Sequence, residues 1–227
     1  MVAFKPQTIV DYTTVASPSA TQKTLLAAFE SNAAYDQSVV QTLEQYVDEQ
    51  IQTATVDVDA NLALLKLYLV YPEAANVDKI QKVLLKAITA LPSSFFLGAA
   101  AIVPESFRED ATVKQILDAG FLLHACRFEE FWQLDLAFAG AVADFADAVR
   151  AYVLTVVEKT HSSISSAVLQ AKLNVSDVKD IVAAKKWTLE GDVVQVPAND
   201  DNQMRPKKIR ENIEFDDVLK AIHTLSR

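Results

Sequence analysis

Ile80-Gln81-Lys82-Val83-Leu84-Leu85-Lys86-Ala87-Ile88-Thr89-Ala90-Leu91-Pro92 carries the clearest helical period in the chain. Ile80, Val83, Leu84, Ala87, Ile88 and Leu91 recur at spacings of three and four, which puts them on one side of a 3.6-residue helix. Lys79, Lys82 and Lys86 fall on the opposite side and are expected to face water. Pro92 ends the pattern, because the residue before a proline is pushed out of the α region. Upstream, Leu62 to Tyr71 is apolar nearly all round and broken only by Lys66. A helix apolar on every side belongs in the middle of a packed array.

The same signal extends in both directions. Leu25, Leu26 and Phe29 mark a short first helix. Val39, Val40, Leu43, Tyr46, Val47 and Ile51 mark a longer one. Beyond Pro92, helices are expected near Phe95–Val103, Val113–Ala125, Glu129–Phe138 and Val142–Lys159. Only 4 glycines and 7 prolines occur in 227 residues, too few for a turn-rich sandwich or barrel. Amphipathic helices on short links predict stacked helical hairpins, HEAT-like in character although no exact repeat period is visible.

After His161 the pattern changes. Ile164, Ala167, Val168 and Ala171 suggest a short helix, Asn174-Val175 a turn, and Ser176 an N-cap for a helix over Asp177–Lys186. Trp187-Thr188-Leu189 and Val193-Val194-Gln195-Val196 flank Glu190-Gly191-Asp192, which reads as a β-hairpin. Helix, turn, helix, hairpin is the order of a winged helix. The expected fold is therefore mainly α, divided into a flexible tail at 1–19, a HEAT-like domain at 20–160, a winged-helix domain at 161–204, and a basic lead-in with a C-terminal helix at 205–227.

Charge bounds the partners. Net charge is −9, and Met1 to His161 carries 11 Lys and Arg against 20 Asp and Glu, while the remainder balances at 10 against 10. An acidic body repels phosphate backbones. A single cysteine, Cys126, allows no internal disulfide and fits a reducing compartment. The N-terminus lacks the apolar core of a signal peptide, and the run Phe95 to Val103 is about half the length that spans a bilayer. A cytoplasmic protein with no membrane partner is expected.

Reactive constellations are missing. Isolated glycines form no phosphate-binding loop. Glu158-x-x-His161 is half of a di-iron motif and lacks its second half. His124 and Cys126 lack two further ligands for a metal and read as buried core residues. Asn174-Val175-Ser176 fits a glycosylation sequon but reads as a turn. No catalytic residue, metal site or cofactor is expected, and the chain is read as no enzyme.

Two segments suit contact with other molecules. Arg205, Lys207, Lys208 and Arg210 are the best candidates for touching RNA, although Asp200, Asp201, Glu211 and Glu214 blunt their field and favour a solvated lead-in. Asp177 and Asp180 stand where a groove-reading helix wants donors, so the winged helix is expected to contact protein. The candidate interface comprises Trp187, Leu189, Val194 and Val196 of the hairpin and the stripe Ile213, Phe215, Val218, Leu219, Ile222 and Leu225.

Helical repeats followed by a winged helix resemble the layout of the PCI proteins of the proteasome lid, the signalosome and initiation factor 3. Leu43-Glu44-Gln45-Tyr46-Val47, Asp59 to Tyr68, Leu84 to Pro92, Gln115-Ile116-Leu117, Phe128 to Trp132, and Arg205 to Ile209 with Ile213-Glu214-Phe215-Asp216 are similar to the subunit K family of eukaryotic translation initiation factor 3. The likeness runs from Thr24 to Ile222, and the Thr/Ser-rich N-terminus departs from it. The resemblance implies a non-catalytic scaffold supporting recruitment of the small ribosomal subunit and mRNA. It also implies other initiation factor 3 subunits as partners, subunit L above all, with the ribosome reached through the complex. A lid or signalosome subunit, or a winged-helix nucleic-acid-binding regulator, are the alternatives.

Overall fold

The computed structural model describes residues 4–31, 33, 35–203 and 214–225. Ala20–Glu30 (α1), Val40–Gln52 (α2), Val58–Val70 (α3), Val77–Thr89 (α4) and Phe95–Ile102 (α5) follow one another through short links. Glu105–Arg108 (α6), Ala111–His124 (α7), Phe128–Phe131 (α8) and Phe145–Thr160 (α9) complete the helical array. The mainly α class holds.

Caps define the helix starts. Ser19 and Gln22 form a reciprocal capping box on α1. Asn76 Oδ1 accepts from the Asp78 amide at 3.0 Å to open α4. Asp110 Oδ1 accepts from the Thr112 and Val113 amides at 3.0 and 2.9 Å to open α7.

The decisive stretch lies at the centre of the molecule, with α4 packed against α2, α5, α7 and α9. Ile80, Val83, Leu84 and Ile88 are fully buried, each contributing roughly 1.5–3 kcal/mol through removal from water. The lysines of its polar side do not all reach solvent, because neighbouring elements cover that side too. Lys79 is buried against Asp48 and donates to the Glu44 carbonyl at 3.3 Å. Lys82 bridges Asp48 and Asp78 at 3.1 and 2.7 Å. Burial works against the Asp48 charge, but hydrogen bonds from Lys79 and Lys82 outweigh it and hold the carboxyl below its usual range. Lys86 is wholly enclosed.

What covers Lys86 is the N-terminal segment expected to be loose. Thr8–Val10 (β1) pairs in parallel with Thr55–Asp57 (β2), a non-local partner that no local pattern announces. Asp57, buried at the junction, accepts from the Tyr12 amide at 2.8 Å, the Tyr46 hydroxyl at 3.1 Å and the Ala60 amide at 3.1 Å. One carboxylate thus caps α3 and anchors the strap. Phe4 lies over the Arg150 guanidinium at 5.5 Å, and Trp132 stands 5.2 Å from the same group.

Three further expectations need correction. The helix near Glu129–Phe138 shortens to α8 and resumes as a 3₁₀ turn at Ala137–Ala141, because Asp135 Oδ1 takes the Ala137 amide at 3.0 Å and closes a local turn instead. α3 is not enclosed all round: Leu69 and Val70 are 56% and 65% exposed. His124 and Cys126 are exposed rather than buried: His124 lies on the open side of the last turn of α7, and Cys126 takes a left-handed φ of 58° in the turn by which the chain leaves that helix.

Beyond α9, Ser163–Ser165 (β3) leads into Ser166–Leu173 (α10), Lys179–Ala184 (α11), Thr188–Glu190 (β4) and Val193–Gln195 (β5). Ile164, expected in a helix, belongs to β3, where it alone points inward between two exposed serines. The sheet order is β3-β5-β4, antiparallel throughout, with Ile164 opposite Val194 and Leu189 opposite Val194 on the other side. α11 is shorter than the expected helix. Asp177 Oδ1 takes the Lys179 amide at 3.0 Å, which moves the start past Ser176. Phe215–Leu225 (α12) is the last described element.

Candidate functional site

The hairpin forms where its residues ask for it. Gly191 at φ 61° supplies the left-handed turn between β4 and β5. α11 ends in a double turn, with the Lys186 amide on the Ala183 carbonyl at 3.2 Å and the Trp187 amide on the Val182 carbonyl at 2.9 Å. That turn swings Trp187 inward. Trp187 is 6% exposed, Val194 0% and Val196 6%. These three candidate interface residues therefore belong to the chain's own core and present no surface. The Trp187 indole N–H finds no acceptor among the described residues. Leu189 and Val193 stay exposed on the hairpin: alternation along β5 turns Val193 to the face opposite Val194, whereas Leu189 pairs with Val194 but lies on the edge strand β4.

α12 behaves differently. Every residue from Phe215 to Leu225 is exposed, and Phe215, Val218, Leu219, Ile222 and Leu225 lie at steps of three and four on one face. Asp216, Asp217 and Lys220 occupy the other face, with a Lys220–Asp217 pair at 3.4 Å. Covering five such side chains is worth roughly 10 kcal/mol before association costs of about 4–15 kcal/mol. An 11-residue helix is also shorter than the roughly 12–15 residues at which an isolated helix holds in water.

Ile213 and the cations Arg205, Lys207, Lys208 and Arg210 lie outside the described residues. The hairpin and α12 candidates thus split into Leu189 and five α12 residues at the surface, and three residues in the core. Sequence reading grouped them because hydrophobicity alone does not tell a core strand from an exposed one.

The groups weighed for chemistry are engaged elsewhere. Glu158 Oε2 accepts from Lys185 at 3.0 Å, and the Asn199 and Asn202 side chains donate to the Glu158 carbonyl at 2.8 and 3.3 Å. His161 ends α9, with Nδ1 2.7 Å from the Thr160 hydroxyl. Asn174 adopts φ 50° at the end of α10, a turn residue. Among the described residues no three His, Cys, Asp or Glu side chains cluster to hold a metal, and no helix is long and apolar enough to cross a membrane.

Comparison with known proteins adds a second line. The model of the CSN8/PSMD8/EIF3K family matches residues 75–208, from α4 through the three-stranded sheet. A Xenopus laevis protein named eukaryotic translation initiation factor 3 subunit K is 34% identical over 81% of this chain and 87% of its own length. Namesakes from Drosophila erecta and Homo sapiens are 33% and 30% identical, each over 81% of this chain, covering 86% and 87% of their own lengths.

Proposed function

The chain belongs to the CSN8/PSMD8/EIF3K family, on the side of the initiation factor 3 subunit K proteins, and on that premise we propose that it is a non-catalytic scaffold subunit that works by docking onto neighbouring subunits in the cytoplasm. The observation that carries this reading is α12, an amphipathic helix whose apolar face has no cover among the described residues. Its occupant is a matching helix set contributed by other initiation factor 3 subunits. The family resemblance supports subunit L as the immediate neighbour, and contact with the small ribosomal subunit and mRNA through the complex. The helices from α1 to α9 form the HEAT-like part in this reading. The segment from β3 to β5 forms the winged helix that abuts a neighbour through Leu189 and Val193. Arg205, Lys207, Lys208 and Arg210 add weak RNA contact at most.

The family name spans signalosome and lid subunits as well, so the deciding experiment is co-purification of the native protein. Recovery of initiation factor 3 subunits is the expected result, and recovery of lid or signalosome subunits overturns it. The double variant Val218→Asp and Ile222→Asp is expected to fold as the wild type and leave the complex, since a partner would have to bury unpaired carboxylates. Full retention in the complex removes α12 as the docking element.

A further inference from the structure

We propose that the outer face of α3 is a second docking surface, taking an amphipathic helix of a partner protein through an arginine side chain. The inference rests on the reading of this chain as an assembly subunit and adds a site that α12 does not supply.

Composition and placement disagree at α3. Its sequence is apolar almost all round, yet one stripe stays open: Leu62 and Ala63 half-buried, Lys66, Leu69 and Val70 exposed. At the start of that stripe lies a groove of about 350 Å³, walled by Tyr12, Phe29 and Tyr35, with Leu62 against it and Asp11 and Asp59 at its edge. Phe29 and Tyr35 are 56% and 62% exposed, unusual values for large rings unless they serve contact.

The charges choose the occupant. Neither Asp59 nor Lys66 forms an ion pair among the described residues. Asp11 is held below the usual carboxylate range by the Thr13 hydroxyl and amide, so it stays ionised. Burial, and then the neighbouring Asp57, Asp11 and Asp59, push the Tyr12 phenol up, which reports a negative field in the groove. Aromatic faces beside unneutralised carboxylates favour a planar cation, and arginine stacks and pairs in that setting better than lysine. Lys66 stands seven residues beyond Asp59, about 10 Å along the helix axis. A partner helix lying along the stripe meets both charges when it carries an arginine and an acidic residue two turns apart, with apolar residues between them to cover Leu62, Leu69 and Val70.

The test places a photo-crosslinking amino acid at Leu69, and separately at Leu219 of α12, in the full chain within its purified complex. The expected result is a crosslink from position 69 to a different subunit, within about two helical turns of an arginine. Asp59→Lys is expected to lower that yield at least about fivefold while leaving the crosslink from position 219 unchanged. Circular dichroism of the variant checks that it folds, and Leu69→Glu serves as a second variant at a site that is 56% exposed. A crosslink from position 219 without one from 69 sinks the α3 proposal and spares the assembly reading. A crosslink from 69 to a second copy of this chain, or to a segment without basic residues, sinks it too. A crosslink from 69 alone counts against α12, and silence at both positions overturns both readings.

Discussion

Lys86 Nζ donates to Gln7 Oε1 at 2.6 Å, across 79 residues of sequence and with no carboxylate in the contact. Thr89 Oγ1 donates to the same oxygen at 3.2 Å. A cation at the centre of the array is therefore met by one neutral amide carried on the N-terminal strap, and its solvation depends on that strap staying in place.

Stability should record this arrangement as pH rises. Burial pushes the Lys86 ammonium down from 10.5 to about 8. Below pH 8 both folded and unfolded chains hold the proton, and the cost of the enclosed charge is fully present. Between about pH 8 and 10.5 the unfolded chain retains a proton that the folded chain has released, so this group makes stability rise across that window. Lys86→Met removes the charge and keeps the volume. We expect it to gain about 1–3 kcal/mol at pH 7 and to lack the rise, as read by urea unfolding from pH 7 to 10.5. Parallel curves for the two proteins would show that Lys86 is not the group responsible.

Gly120 sets the approach of α7 to α5. A Cβ placed there overlaps the ring of Phe96, which is fully buried and stacked edge-on against Phe121 at 5.5 Å. The ring has nowhere to go. Gly120→Ala is expected to cost about 2 kcal/mol by overpacking, despite the usual helix preference for alanine. Phe96→Leu made together with it should recover part of the loss, a coupling that a double-mutant cycle measures directly. Additive losses would mean that the helices simply move apart.

Lys186 makes the left-handed turn after α11 at φ 58° without being a glycine. A side chain in that region carries about 1–2 kcal/mol of strain, and glycine recovers it less its own backbone entropy. Lys186→Gly is expected to raise stability by about 1 kcal/mol, with Lys186→Ala near neutral. Equal gains from both would assign the effect to charge instead. Cys126 and Asn174 end α7 and α10 in the same way. This use of non-glycine residues explains how a helical chain turns so often with only 4 glycines.

What could be read from sequence was whatever local periodicity controls. The stripe on α4, the hairpin around Gly191 and the stripe on α12 all follow from residues within a turn or two of one another. The strap at Thr8–Val10 could not be read, because its partner β2 lies 47 positions away and its own residues carry no alternation. The lysines of α4 misled for a related reason: a period shows which side is polar but not whether another element covers that side. In the hairpin, Trp187, Val194 and Val196 could not be told from Leu189 until the inward turn at Lys186 was known. The open stripe on α3 could not be read either, because a sequence apolar nearly all round does not say which side its neighbours leave uncovered.

α12 offers a prediction about motion as well as binding. Every residue of α12 is exposed and the helix has only 11 residues, and short, exposed helices in water open readily. Amides of Val218 to Leu225 are expected to exchange in the free chain with protection far below those of α4, where Ile80 to Ile88 exchange only by global unfolding. For the same reason, Val218→Asp should leave the thermal midpoint of the free chain unchanged within about 1 °C, since exposed substitutions stay within about 0.5 kcal/mol. In the assembled complex the same amides should slow by orders of magnitude, because covering the stripe couples helix opening to dissociation. Strong protection of these amides in the free chain would place their stabilising contacts inside the protein itself, and the need for an external partner would disappear.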